Sequence, residues 1–401
     1  MNALLFCSHW RTCRGRTNCG GWHLPCWRRA GRERVPSVLA TIRNTQLDGW
    51  RAFAVLGVMW HHWASKEWRG HFPFEIGLFF FLTLTGFLIT RILLRERTVG
   101  ESHAIPWRVK TYVHFQKRRM VRILVPCYVA MIFAIIVGAS DIQQHPWFYF
   151  AHASNLHMAY MDGWPSGTAH YWTLAIQMQF YLIWPLVIFL TPRRAWVFAF
   201  LMCTALAPVS RFVLARWFPE IHHSEAISTA SLDYFAVGAL LALAMDRGMA
   251  AGDSRLKWGS CLAFCGYVVL YISNERGMPV AGFCYIQQTL VSIVFAGLIS
   301  STLCGLKGWS ARVLDNPVIQ HVGRLSYGLY LFHTPVPLFL GWVLPWLWHP
   351  FFNGPWLAVR LLAFALTSWG LAYLCWKYLE QSKAPHDPNK HAPVASVLDR
   401  R

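Results

Sequence analysis

The 401 residues are 55% hydrophobic and only 14% charged, yet carry a net charge of +19. A water-soluble globule of this length needs more polar surface than that, so the composition excludes one and points to an all-α, polytopic transmembrane helix bundle. The charge does not announce a nucleic-acid binder, because the basic residues stand at the edges of apolar stretches and no DNA- or RNA-reading module is present. It reads instead as orientation in the bilayer and attraction to anionic lipid.

Residues 1–46 carry eight Arg and no Lys and hold Cys7, His9, Cys13, Cys19, His23 and Cys26. The spacings of these ligands match no usual structural zinc pattern, so no metal is expected there. There is also no apolar run of signal-peptide length. The segment reads as a disordered basic arm, or as residues upstream of the true start codon. About ten apolar stretches follow, each long enough to cross about 30 Å of hydrocarbon at about 1.5 Å per residue. They begin near Leu47, Phe74, Val121, Tyr171, Ala195, Thr229, Trp258, Val280, Leu325 and Trp356. The transmembrane domain is thus expected over residues 47–380, with a disordered cytoplasmic tail over 381–401 that contains Pro385, Pro388 and Pro393.

Lys and Arg alternate between the loops as they should if alternate loops face the cytoplasm. Nine basic residues lie between Arg91 and Arg122, whereas residues 139–170 and 344–355 contain none. This predicts an even number of spans with both termini cytoplasmic. Lys66 and Arg69 fall on the opposite side and make the first hairpin the weakest part of the assignment. Pro126, Pro185, Pro335 and Pro337 are expected to kink their helices, and Trp residues near the span ends suit an interfacial belt.

Ionisable residues inside apolar helices are costly, which makes them the place to look for chemistry. The first span opens Leu47-Asp48-Gly49-Trp50-Arg51 and runs to His61 and His62. Eleven residues separate Arg51 from His62, close to three helical turns, so both project from one face about 16 Å apart. From spacing alone, Arg51 either snorkels to headgroups while His62 marks the far interface, or the two line one internal groove. A second cluster, Lys117-Arg118-Arg119-Met120-Val121-Arg122, puts Arg119 and Arg122 on a common helix face suited to phosphate. It also suits a plain cytoplasmic anchor.

Five segments together resemble the acyltransferase-3 family of bacterial membrane O-acyltransferases. They are LDGWRAFAVLGVMWHH from Leu47, LTLTGFLIT over 82–90, FQKRRMVRILVP over 115–126, HYWTLAIQMQFYLIWP over 170–185 and VGRLSYGLYLFHTPV over 322–336. Weaker echoes occur at 231–242 and at Tyr378-Leu379-Glu380. The family's Arg-x10-His pattern selects His62 over His61. One departure stands out: Gln177 and Met178 replace the paired glutamates that the family usually has before Gln-Phe-Tyr, and Gln177 cannot ionise.

The resemblance implies an acyl-coenzyme A donor, with acetyl-CoA the first choice, and a carbohydrate or glycolipid hydroxyl as acceptor. No bound cofactor is implied, and the setting is the bacterial inner membrane. Arg119 and Arg122, with Arg118 and Arg51, are then expected to hold the donor's phosphates, and His62 to act as general base. Asp48 would brace Arg51, and His333 is a second imidazole candidate. Direct transfer and a transient acyl-His62 intermediate both remain open at this level. No large extracytoplasmic domain follows the tenth stretch, so an acceptor-recruiting partner is expected to be a separate protein. The rival readings are a transporter or flippase, whose halves should resemble each other and do not, and a non-catalytic relative marked by Gln177. The chain has no GxSxG elbow, HExxH helix or Walker loop.

Overall fold

The computed structural model describes residues 44–380 apart from 71, 103–106, 279, 281 and 350–355. The arm through Arg43, with its Cys and His residues, and the tail over 381–401 lie outside the described residues. Within them the chain is helical, without strands. In chain order the helices are α1 (Thr45–Trp63), α2 (Lys66–Arg69), α3 (Ile76–Glu101), α4 (Trp107–Ile136), α5 (Ser140–Gln144), α6 (Pro146–Phe150), α7 (Ser154–Ala159) and α8 (Tyr171–Leu190). They continue as α9 (Trp196–Trp217), α10 (Leu232–Asp246), α11 (Ser254–Glu275), α12 (Phe283–Leu303), α13 (Gly308–Leu314), α14 (Pro317–Phe332), α15 (Pro335–Val343) and α16 (Leu357–Cys375).

Among the described residues, eight helices are long and apolar enough to cross a membrane by length and composition: α3, α4, α8 to α12 and α16. Their exposed surfaces agree with a lipid solvent. Trp258, Leu262 and Val269 on α11 are 71%, 72% and 63% exposed, an apolar surface that water would penalise. The chain is a multi-pass membrane protein. The two remaining expected stretches also become helical, but each carries a polar load. Helix α1 includes Gln46, Asp48, Arg51, His61 and His62. The stretch near Leu325 begins earlier, at Pro317, and is split into α14 and α15.

Local chemistry explains these limits. Asn44 caps α1 by accepting from the Leu47 amide at 3.1 Å, so the helix starts just inside the expected arm. Asn316 caps α14 in the same way, with Pro317 at its first position. Pro126 and Pro185 lie inside α4 and α8. Pro335 breaks the chain outright: α14 ends at Phe332 and α15 starts at Pro335, leaving His333 and Thr334 at the joint. Helix α4 starts at Trp107, well before the apolar stretch near Val121, so Arg118, Arg119 and Arg122 are all carried on one continuous helix. The loop 139–170, free of Lys and Arg, contains three short helices, α5, α6 and α7.

Glycine sets the closest packing. Helices α3 and α10 form the most extensive pair, followed by α1 and α14. A Cβ on Gly86 would stand 2.6 Å from the Phe235 Cα, and one on Gly323 would stand 2.6 Å from the Asp48 carbonyl carbon. The backbones therefore touch, the arrangement small residues permit between membrane helices. Polar clamps add to this. Arg211 on α9 and Asp233 on α10 pair at 2.7 Å with 2% and 0% side-chain exposure, and Thr289 of α12 donates to the same carboxylate at 2.5 Å. Arg97 of α3 donates to the carbonyls of Ile188 and Thr191 at the end of α8.

Candidate active site

Three helix ends meet at one level of the bundle and bring three imidazoles together. His62 is in the last turn of α1, His333 follows the end of α14, and His170 immediately precedes α8. The ring centroids of His62 and His333 are 5.0 Å apart, as are those of His170 and His333. His333 and His170 are buried, whereas His62 is exposed although His333 stands against it. His61 turns elsewhere and meets Glu75 at 3.1 Å.

Hydrogen bonds fix the tautomers of the two buried rings. His333 Nδ1 lies 2.8 Å from the Tyr330 carbonyl oxygen, which can only accept, so Nδ1 carries the proton and Nε2 the lone pair. Thr334 donates its hydroxyl to the Gly167 carbonyl at 2.9 Å and lies 2.6 Å from His170 Nδ1. Its oxygen therefore accepts from His170 Nδ1–H, and the His170 lone pair is again on Nε2. Neither Nε2 has a hydrogen-bond partner. Trp63 Nε1 donates to the His333 carbonyl at 2.8 Å and ties the end of α1 to the α14–α15 joint. That joint frees the backbone groups that orient the site, which an unbroken helix would have used internally.

The arginines lie at the other end of α1. Arg51 meets Asp48 at 3.3 Å. Arg51 and Arg122 are both within electrostatic range of Glu380, in the π-helical turn after α16. Arg119 is half-buried and lies over the Tyr181 ring at 5.9 Å, while Arg122 is exposed. Arg118 turns aside and pairs with Glu96 of α3 at 2.9 Å. Between the two ends, Gln177 donates to the Tyr181 hydroxyl at 2.6 Å and to Thr85 at 3.1 Å. Its side chain thus orients the tyrosine beneath Arg119.

The structure brings His62 to His333, Arg51 to Asp48, and Gln177 to the neighbour of Arg119. Sequence reasoning missed His170, Tyr330 and Thr334. The signal for His170 was a histidine directly before an apolar helix that starts without a polar cap; Thr334 was visible only as the residue between His333 and Pro335.

Comparison with known proteins identifies the family. The family described as Acyltransferase domain (Acyl_transf_3) matches residues 44–375. The peptidoglycan O-acetyltransferase OatA of Listeria monocytogenes is 31% identical over 338 residues, covering 77% of this chain and 50% of the relative. The protein named "Putative peptidoglycan O-acetyltransferase YrhL" of Bacillus subtilis is 28% identical over 324 residues, covering 72% and 48%. The chain spans about half the length of the curated relatives it matches. No solved structure matches it. With five motifs distributed along one helical bundle and a family match over nearly all described residues, the chain belongs to the acyltransferase-3 family.

Proposed function

We propose that this protein is a membrane O-acyltransferase that moves an acyl group, acetyl in the first instance, from acyl-coenzyme A to a hydroxyl of a cell-envelope glycan. The relatives' names favour peptidoglycan as the acceptor class. The observation that carries the reading is the layout of α1: an accessible imidazole, His62, at one end and the Arg51 guanidinium at the other, separated by about 16 Å. That length suits the pantetheine arm of coenzyme A.

In this reading Arg119, Arg122 and Arg51 hold the donor's phosphates, because planar guanidinium groups bind such oxygens in pairs. Arg118, engaged by Glu96, contributes less. The acceptor oxygen attacks the thioester carbonyl while His62 takes its proton. The carbon–sulfur bond then breaks, and the departing thiolate recovers the proton from His62. The bare Nε2 lone pairs of His333 and His170 accept from neighbouring hydroxyls of the sugar and orient the one that reacts. They are binding and positioning groups, whereas His62 is the base. The donor arrives from the cytoplasmic side of the bacterial inner membrane.

Thiol release from acetyl-CoA by purified, detergent-solubilised protein, with envelope glycan as acceptor, tests the proposal. Release that requires both glycan and His62 is the expected result. A folded His62→Ala variant that still turns over would remove His62 as base. Glycan that accumulates across vesicles without gaining mass would indicate transport instead.

A further inference from the structure

The segment between α4 and α8 carries a donor set that acyl transfer does not use. Asp141 in α5, His145 at the joint of α5 and α6, and His157 in α7 each offer one ligand atom, and these atoms all lie within 4.8 Å of one another. His157 Nε2 is 3.1 Å from Asp141 Oδ1, and the rings of His145 and His157 are 4.6 Å apart. We propose that Asp141, His145 and His157 form a binding site for a zinc-class divalent cation that staples α5, α6 and α7 together.

Several independent observations point the same way. Asp141 is buried, at 9% exposure, and its partners are the uncharged Tyr149 hydroxyl and His157. Residues 139–170 contain no Lys or Arg, so the segment supplies no fixed cation for this carboxylate. A buried carboxylate of that kind is costly unless a cation meets it. Tyr149 donates to the second carboxylate oxygen, Oδ2, which leaves Oδ1 turned toward His157. A hydrogen bond that orients a ligating carboxylate from behind is the usual support of a metal ligand. Phe148 stacks on the His157 ring at 4.8 Å and fixes its plane. His145 is exposed and its ring makes no hydrogen bond among the described contacts, so it has no structural duty that competes with ligation.

Two imidazoles and one carboxylate are a common zinc set, with the fourth position left to water. The ligands come from α5, the α5–α6 joint and α7, a run of short helices none of which has the length to be stable alone. An ion would therefore gain its affinity by ordering them, and folding and binding would be coupled. Tyr149 also bonds Thr168 at 3.0 Å, one residue from Gly167, whose carbonyl holds Thr334. The site thus braces the segment on which the histidine cluster rests, without touching the reacting groups.

The test uses the full-length, tag-free protein in detergent, stripped with a chelator and titrated with Zn2+. Zinc content, the visible absorption of a Co2+-loaded sample and the melting temperature are the readouts. The wild type should bind one equivalent and melt higher with Zn2+. Both His145→Gln and His157→Gln should lose at least tenfold in affinity. His145→Gln carries the argument, since its ring is exposed and the stripped variant should melt like the stripped wild type. Absence of binding by the wild type, or unaltered affinity in both variants, would overturn the proposal. The second result would mean that other ligands, such as the cysteines before residue 27, had taken the ion.

Discussion

Replacing Gly323 by Ala tests whether helix packing sets the chemistry. The added Cβ would stand 2.6 Å from the Asp48 carbonyl carbon and closer still to its oxygen. Carbon atoms prefer a separation of about 3.5–4.0 Å, so α1 and α14 must part by roughly 1 Å at this level. Overpacking of that kind costs about 1–3 kcal/mol, partly offset by about 1 kcal/mol from the better helix propensity of Ala. The displacement is greatest at Asp48, which holds Arg51 at 3.3 Å. It is smaller ten residues on at His333, where Trp63 pins the helix end. A 1 Å misplacement costs up to about 100-fold in rate. The variant should therefore melt lower, show a raised KM for acyl-CoA and lose about 10- to 100-fold in kcat/KM, measured by thiol release and thermal unfolding. Gly370→Ala is the control: nothing lies within 4 Å of its Cβ position, so it should match the wild type. A Gly323→Ala protein with wild-type melting and wild-type kcat/KM would refute the link between backbone contact and catalysis.

Three further outcomes follow from the site and its surroundings. Gln177→Glu should keep turnover within a fewfold of wild type, because a carboxylate can accept from both the Tyr181 and Thr85 hydroxyls, whereas Gln177→Ala, which loses both bonds, should lose about tenfold or more. In initial-rate measurements, His333→Gln and His170→Gln should each raise the acceptor KM about fivefold to tenfold, the worth of one hydrogen bond, while leaving the donor KM unchanged. His152, buried between α6 and α7 at a φ of 53°, has its pKa lowered to about 4 by that burial. The unfolded chain takes up a proton near pH 6.5 and the folded one does not until about pH 4, so stability should fall on acidification across that window and level off below it. The loss is on the order of 3 kcal/mol, and His152→Asn, which tolerates the positive φ, should reduce it in melting curves recorded from pH 7 to pH 4.

Much of this bundle could be read from apolar run length, because membrane helices must satisfy their backbone internally and their sequences show it. The pairing of Arg51 and His62 with separate ends of one helix followed from spacing alone. Other features had no local signature. Helix α4 extends through Arg108, Lys110 and Lys117, whose charges leave no apolar run to count. The stretch from Ser140 to Ala159 folds as three short helices anchored by Tyr149, Met158 and Ala159, a tertiary effect that no periodicity of five-residue pieces can announce. Arg211 and Asp233 are 22 positions apart and are reconciled only when α9 and α10 are placed side by side. His170 joined the cluster for the same reason: its partners, His333 and Thr334, are more than 160 residues away.

The unbroken run of α1 from Arg51 to His62 has a consequence for how this chain can change. Each residue in a helix advances the axis by about 1.5 Å and turns it by about 100°. Deleting one apolar residue between them, at Leu56 for example, would swing His62 a quarter-turn or more away from Arg51 while barely altering hydropathy. Substitutions along this segment can be many and mild, but its length cannot drift. The eleven-residue interval fixes both the distance and the angle between the two side chains.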